Sequence, residues 1–121
     1  VWRARNLMRG LGEGRPEAVM LTRPAAERVR MAGGPWAFLG LWEGRATFAV
    51  DCSDAEDPLP LLPEGFGAFE DLRRVAGLLP PGEASVLAHA RGLMHWRVRH
   101  RFCGACGGAC EPRSGGNAMA C

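Results

Sequence analysis

Apolar residues in this chain fall into two kinds of run. Trp36-Ala-Phe-Leu-Gly-Leu-Trp42 and Arg45-Ala-Thr-Phe-Ala-Val50 are rich in aromatic and β-branched residues, the composition of half-buried strands. Glu43-Gly44 separates them as a two-residue turn, so a β-hairpin is predicted over 36–50. In its second strand Ala46, Phe48 and Val50 alternate with Thr47 and Ala49, which predicts an inward face made of the first three. From Ala68 to Leu79 the period lengthens. Phe69, Leu72, Val75, Ala76 and Leu79 share one arc, opposite Glu70, Arg73 and Arg74, as on an amphipathic helix. Pro80-Pro81-Gly82 stops it, and a second helix follows from about Glu83 to Arg99. Val86, Leu87, Ala90, Leu93, Met94 and Val98 line its buried side. Arg97 falls within that arc and must snorkel or meet an acceptor.

Elsewhere the pattern is weaker. Residues 1–16 read as mostly irregular, with one helical turn near Leu7. Glu17 to Thr22 reads as a short strand ended by Pro24. Ala25 to Met31 fits a helical turn or a polar strand. Asp51 to Gly67, with Pro58, Pro60 and Pro63, reads as a surface loop. Trp36, Phe38, Trp42, Phe48, Phe66, Phe69 and Trp96 are assigned to the core. The fold class is therefore α+β, a hairpin or small sheet with two amphipathic helices.

Charge changes this picture only locally. The whole chain carries +2, too little to argue for nucleic acid. Residues 1–83 hold 10 Arg against 12 acids, whereas residues 84–121 hold 5 Arg against 1 acid. The acid-free run from Arg91 to Arg101 can contact phosphate. It equally suits a solvated helix face with cations at a helix C-terminus. Asp51, Asp54, Glu56 and Asp57 read as a solvated acidic loop. No apolar run reaches the ~20 residues of a membrane span, and a cytoplasmic location is expected.

The cysteines carry the chemistry. Four of the five crowd into the last 19 residues, where a disulfide framework would spread them through the fold. Cys103-Gly-Ala-Cys106-Gly has the form of a zinc knuckle, in which the turn folds back so that two thiolates grip one ion. Cys121 follows at the spacing of zinc ribbons, so Cys103, Cys106 and Cys121 are the candidate ligands of a structural zinc. A second Cys-x-x-Cys begun by Cys121 would be completed three residues further on. The chain opens on Val and stops on this cysteine, and it is expected to be a fragment. A redox Cys-x-x-Cys and inert buried thiols are the alternatives. The redox form opens a helix after a strand, whereas this motif follows a helix. Cys110 reads as a spectator, or as a substitute ligand. Cys52 reads as a small buried residue. His95 reads as solvated, and His100 is placed to orient a thiolate. With three of four ligands present, the last dozen residues are expected to be the least ordered.

Several motifs in order give these parts a family. Phe38-Leu-Gly40 leads to Phe48-Ala-Val-Asp51-Cys-Ser53. Gly65-Phe-Gly-Ala-Phe-Glu-Asp-Leu-Arg73 follows. Ala90-Arg91, Trp96, Arg99-His-Arg-Phe-Cys-Gly-Ala-Cys-Gly107, Gly115-Gly116 and Cys121 complete the set. Together they resemble the bacterial NADH pyrophosphatase family of Nudix hydrolases over Trp36 to Cys121. The resemblance implies a degenerate Nudix-like domain over residues 1–99 and the first half of a zinc ribbon over residues 100–121, with a catalytic Nudix domain beyond. It implies cleavage of NADH or NAD to nicotinamide mononucleotide and AMP with Mg or Mn, a homodimer, and in some relatives removal of NAD caps from RNA. The glutamate-rich Nudix box that holds the catalytic metals is absent here, so this chain alone is expected to be inactive. A binding module that holds RNA or an NAD-capped end through Arg91–Arg101 is the rival expectation. Arg97 stands where the family usually has His, and Asn117-Ala-Met-Ala120 replaces a more basic stretch.

Overall fold

Glu43 and Gly44 both take positive φ, 50° and 76°, the geometry of a tight hairpin turn whose twist matches its strands. They join β3 (Trp36–Trp42) to β4 (Arg45–Val50). The hairpin stands as expected, but its faces do not. Ala37 pairs with Ala49 and Phe38 with Phe48. Ala37 and Ala49 are buried, whereas Phe48 is 53% and Trp36 48% exposed. The inward face of β4 is thus Thr47 and Ala49, and Ala46, Phe48 and Val50 point the other way. Small residues face inward because helix α3 (Pro81–Arg99) lies there, with Ala90 and Met94 packed against Ala37 and Ala49. The register slips between Phe38 and Gly40. This bulge reverses the faces, leaving Leu41 exposed and Trp42 half-buried against Gly82.

The computed structural model describes residues 1–62 and 65–121. Its elements run β1 (Asn6–Arg9), β2 (Glu17–Ala18), α1 (Ala25–Met31), β3, β4, β5 (Ala68–Glu70), α2 (Leu72–Val75), α3, β6 (Glu111–Arg113) and β7 (Ala118–Ala120). They make a three-stranded sheet β2-β1-β5 and the hairpins β3-β4 and β6-β7, all antiparallel. The architecture is α+β.

Two expectations are corrected by the first sheet. Asn6–Arg9 is a central strand, neither irregular nor helical, and Met8 is fully buried. The helix read over Ala68–Leu79 begins instead as strand β5, with Leu7 opposite Phe69 and Met8 opposite Ala68. Asp71 then starts α2 as its N-cap, accepting from the Arg73 N–H at 3.0 Å, and a 3-10 turn over Ala76–Leu78 ends it. Pairing with β1 overrides the helical period, because an amphipathic arc of this length is marginal as a helix without packing. Ala25–Met31 takes the helical alternative, and of Glu17–Thr22 only Glu17–Ala18 pairs as strand. The 51–67 segment is irregular save for a 3-10 turn at Leu59–Leu61; its positions 63–64 lie outside the described residues. Asp51 in it is buried and accepts from the Ser53 N–H and hydroxyl, so the acidic loop is solvated only at Asp54, Glu56 and Asp57.

Helix α3 organises the rest. Pro81 at its first position suits a helix start, and Glu83 in its first turn accepts from the Ala18 N–H at 2.7 Å, tying in β2. Leu87 joins Met8, Ala18, Leu72 and Leu79 in one core cluster, while Ala90 and Met94 join the hairpin cluster. Val98, expected on the buried side, is exposed. Among the described residues no helix is long and apolar enough to cross a membrane.

Candidate metal centre

After α3 the chain reverses sharply. His100 N–H donates to carbonyls of the last helical turn. Phe102 and Ala109 then form a β-bridge around the Cys103–Cys106 turn. Cys103 N–H donates to Gly108 O, and Gly107 N–H donates back to Cys103 O, both at 2.8 Å. Gly107 takes φ 71°, which only glycine adopts without strain. This is the knuckle geometry that the cysteine spacing predicts.

The last dozen residues are not loose. Glu111 pairs with Ala120, Pro112 with Met119 and Arg113 with Ala118, and this hairpin returns Cys121 to the knuckle. The sulfurs of Cys103, Cys106 and Cys121 all lie within 4.8 Å of one another. Cys110 stands outside that group, its thiol directed to Gly108 O at 3.8 Å.

The tip of the same hairpin docks on the domain. Asn117 Nδ2 donates to Phe38 O at 2.7 Å. Gly116 is buried, and a Cβ there would stand 2.9 Å from both Ala37 Cβ and Trp36 O. Arg97 answers its expectation by donating from Nη1 to that same Trp36 carbonyl. Asn117 and the close approach of Gly116 escaped the sequence reading; the paired glycines were the available signal.

Electrostatics favour a thiolate at the knuckle. The N–H groups of Cys106 and Ala105, then the thiols of Cys106 and Cys121, hold the Cys103 thiol down at about 7. Cys121 is pushed up, chiefly by its hydrogen bonds with the Cys103 and Cys106 thiols. Burial, then the Cys103 and Cys106 charges, push Cys110 up. A soft trio of sulfurs with one easily ionised suits zinc. An ion ~2.3 Å from each thiolate sets tetrahedral sulfurs roughly 3.8 Å apart, within the spacing observed. His100 does not orient a thiolate: its Nδ1 lies 2.7 Å from Trp96 O and its ring stacks on Trp96. Cys52 is half-buried and its thiol is raised, first by burial.

The basic run divides as well. Arg91 donates to Ala4 O at 2.7 Å and Arg97 is held at Trp36. His95, Arg99 and Arg101 are exposed.

The chain is 28% identical over 83 residues to an NAD-capped RNA hydrolase of Schizosaccharomyces pombe. That match takes in 66% of this chain and 22% of the relative, so the chain spans about a fifth of the length of the curated relative it matches. A family model described as the NADH pyrophosphatase-like rudimentary NUDIX domain matches residues 1–96. The match ends on α3, just before the knuckle. With its small antiparallel sheets gathered on α3, the chain belongs to the NADH pyrophosphatase-like rudimentary NUDIX domain family.

Proposed function

We propose that this chain is the non-catalytic domain of an NAD(H) pyrophosphatase or NAD-cap hydrolase, with residues 1–99 as the rudimentary domain and residues 100–121 as part of a zinc ribbon. The convergence of Cys103, Cys106 and Cys121 beside a rudimentary NUDIX domain carries this reading. The three thiolates would hold zinc, which supplies a structural cross-link between the knuckle and the β6-β7 hairpin. Hydrolysis of the dinucleotide pyrophosphate, with Mg or Mn, belongs to a Nudix box that this sequence lacks. The domain acts as a scaffold and a dimer contact in the cytoplasm. Purified protein should carry about one zinc by elemental analysis and leave NADH intact with added Mg or Mn. Stoichiometric zinc that survives Cys103→Ser would refute the ligand assignment, and NADH turnover would refute the scaffold role.

A second reading is favoured by the kind of relative matched and by exposed Arg99 and Arg101 beside the ribbon. In it these arginines contact the phosphates of an NAD-capped RNA. Arg91, bound to Ala4, takes no part. Binding of capped RNA should then weaken with salt. Arg99→Ala with Arg101→Ala should reduce that slope, and an unchanged slope would count against the reading.

A further inference from the structure

The two edges of the β3-β4 hairpin are treated differently. On β3, Trp36 O accepts from Arg97 and Phe38 O accepts from Asn117. Those carbonyls therefore point away from β4, and so do the main-chain groups of Phe48, which stands opposite Phe38. The turn gives the same parity. Trp42 and Arg45 close a two-residue loop and face each other, as do Gly40 and Thr47, so Ala46 between them faces outward. The only strand beside β4 is β3, and among the described residues nothing bonds the outward N–H and C=O of Ala46 and Phe48. Both residues are exposed. Beyond them the edge is taken. The Val1 amino group donates to Val50 O and Val1 O accepts from the Cys52 N–H, both at 2.8 Å. The open stretch is residues 45–49.

That stretch borders a cleft of about 790 Å³, lined by consecutive β4 residues, by Leu87 and Ala90 of α3, and by Val19 and Leu21 across from them. In sheets a residue takes up roughly 3.3 Å along the strand, 4.8 Å across and 10 Å in depth, so the cleft holds about five residues of one strand. That matches the open edge in length. It is too narrow for both strands of a second hairpin. Free main-chain groups beside apolar walls are the features of strand addition, in which backbone bonds supply affinity and alternate side chains supply specificity. Charge adds to this. Of the ionic wall residues, Arg30 pairs with Glu27 at 2.9 Å. Arg23 and Arg45 then face only Glu43, a positive surplus at the rim.

We propose that the β4 edge takes an extended segment of a partner polypeptide, about five residues long, with apolar side chains at alternate positions and an acidic residue at the end beside Arg45. Its main chain pairs with Ala46 and Phe48. Its apolar side chains turn with Thr47 and Ala49 toward α3. The Phe48 ring, on the outer face with Phe38 and Trp36, takes no part. The site stands apart from the cysteine trio and does not depend on the function proposed above.

A capped, fluorescein-labelled peptide Glu-Val-Thr-Val-Thr-Val-Glu, titrated into the full chain and followed by polarisation, tests this. Binding should saturate, shift the Ala46 and Phe48 amide resonances and slow their hydrogen exchange. N-methylation of alternate peptide amides should abolish binding for the set that faces β4 and spare it for the other set. Gathering the three Val together should weaken binding about tenfold. Ala46→Pro removes only an outward N–H, a change that sheet edges tolerate, and should also weaken binding about tenfold. Arg23→Glu with Arg45→Glu, both at exposed positions, should invert the preference toward the Lys-flanked peptide, and keeps the test sound if Ala46→Pro fails to fold. No binding at millimolar peptide would overturn the proposal. So would equal effects of the two N-methylated sets, or binding that leaves the Ala46 and Phe48 amides unshifted. Exchange at Ala46 and Phe48 that slows with protein concentration alone would also overturn it, and would give the edge to a second copy of this chain.

Discussion

Gly116 shows how one missing side chain positions the β6-β7 hairpin. It takes φ 86°, and a Cβ would press on Trp36 O and Ala37 Cβ at 2.9 Å. The Trp36 carbonyl is backbone and the Ala37 methyl is fixed directly to it, so neither can retreat as the end of a long side chain would. Gly116→Ala should therefore destabilise by about 1–3 kcal/mol, by strain and overpacking together. A urea denaturation series would check it, and a neutral result would contradict the docking. Asp71 makes a different residue-scale prediction. Its hydrogen bonds with the Arg73 side chain and N–H hold its carboxyl far below the usual carboxylate range. A carboxyl depressed on folding stabilises above its unfolded value of roughly 4 and loses that contribution as pH falls toward the folded value. The stability gap between wild type and Asp71→Asn should thus close as pH drops from 6 toward 2. Asn keeps the helix cap, so the gap reports the charge. A gap that widens on acidification would sink the assignment. The pair is solvent-exposed, so the gap is small.

Elements in this protein obey their neighbours before their own periodicity. Strand β1 looked irregular because Asn6 and Arg9 interrupt its apolar positions. It becomes central by pairing with β2 on one side and β5 on the other, with Met8 fully buried beneath. Met8→Ala should cost about 2–5 kcal/mol, the range for emptying a core site, measured by thermal or urea unfolding. A loss under ~0.5 kcal/mol, typical of surface changes, would mean that β1 is peripheral. The β3-β4 hairpin shows the converse. Its turn was legible because Glu43-Gly44 stands between two apolar runs, but the bulge near Gly40 and the alanine face toward α3 were not. Which face of a strand is buried depends on what packs there, and a helix that approaches closely selects Ala37 and Ala49 over larger Phe38 and Phe48.

At the scale of the whole molecule, the cysteine-bearing segment after α3 and the rest of the fold share one junction. The β6-β7 hairpin has Cys121 at one end and Gly116 and Asn117 at the other, on β3. The cysteine trio that could hold a metal and the docking at Trp36 and Phe38 are thereby linked through one short hairpin. If the trio holds the proposed zinc, chelating it should change the tryptophan fluorescence and raise amide exchange at Gly116 and Asn117. Exchange that stays unchanged would show that docking does not need the metal. Trp36, Phe38 and Phe48 sit together on this side, their rings 5.3–5.9 Å apart, on the outer face of the hairpin and not in the core assigned from sequence.

The sequence alone determined the parts with local causes. Glu43-Gly44 set a turn, Pro80-Pro81-Gly82 set the start of α3, and Cys103-x-x-Cys106 set a knuckle closed by Gly107. Each depends on backbone geometry within a few residues, which composition and spacing report directly. Only the tertiary structure decided what lies far apart in the chain. It turned Ala68–Glu70 into a strand against β1, chose the alanine face of the hairpin, buried Asn6 with its Nδ2 on Leu87 O, and carried Cys121 to within 4.8 Å of its partners. Those outcomes come from pairing and burial between segments, and no local pattern encodes which partner a segment will meet.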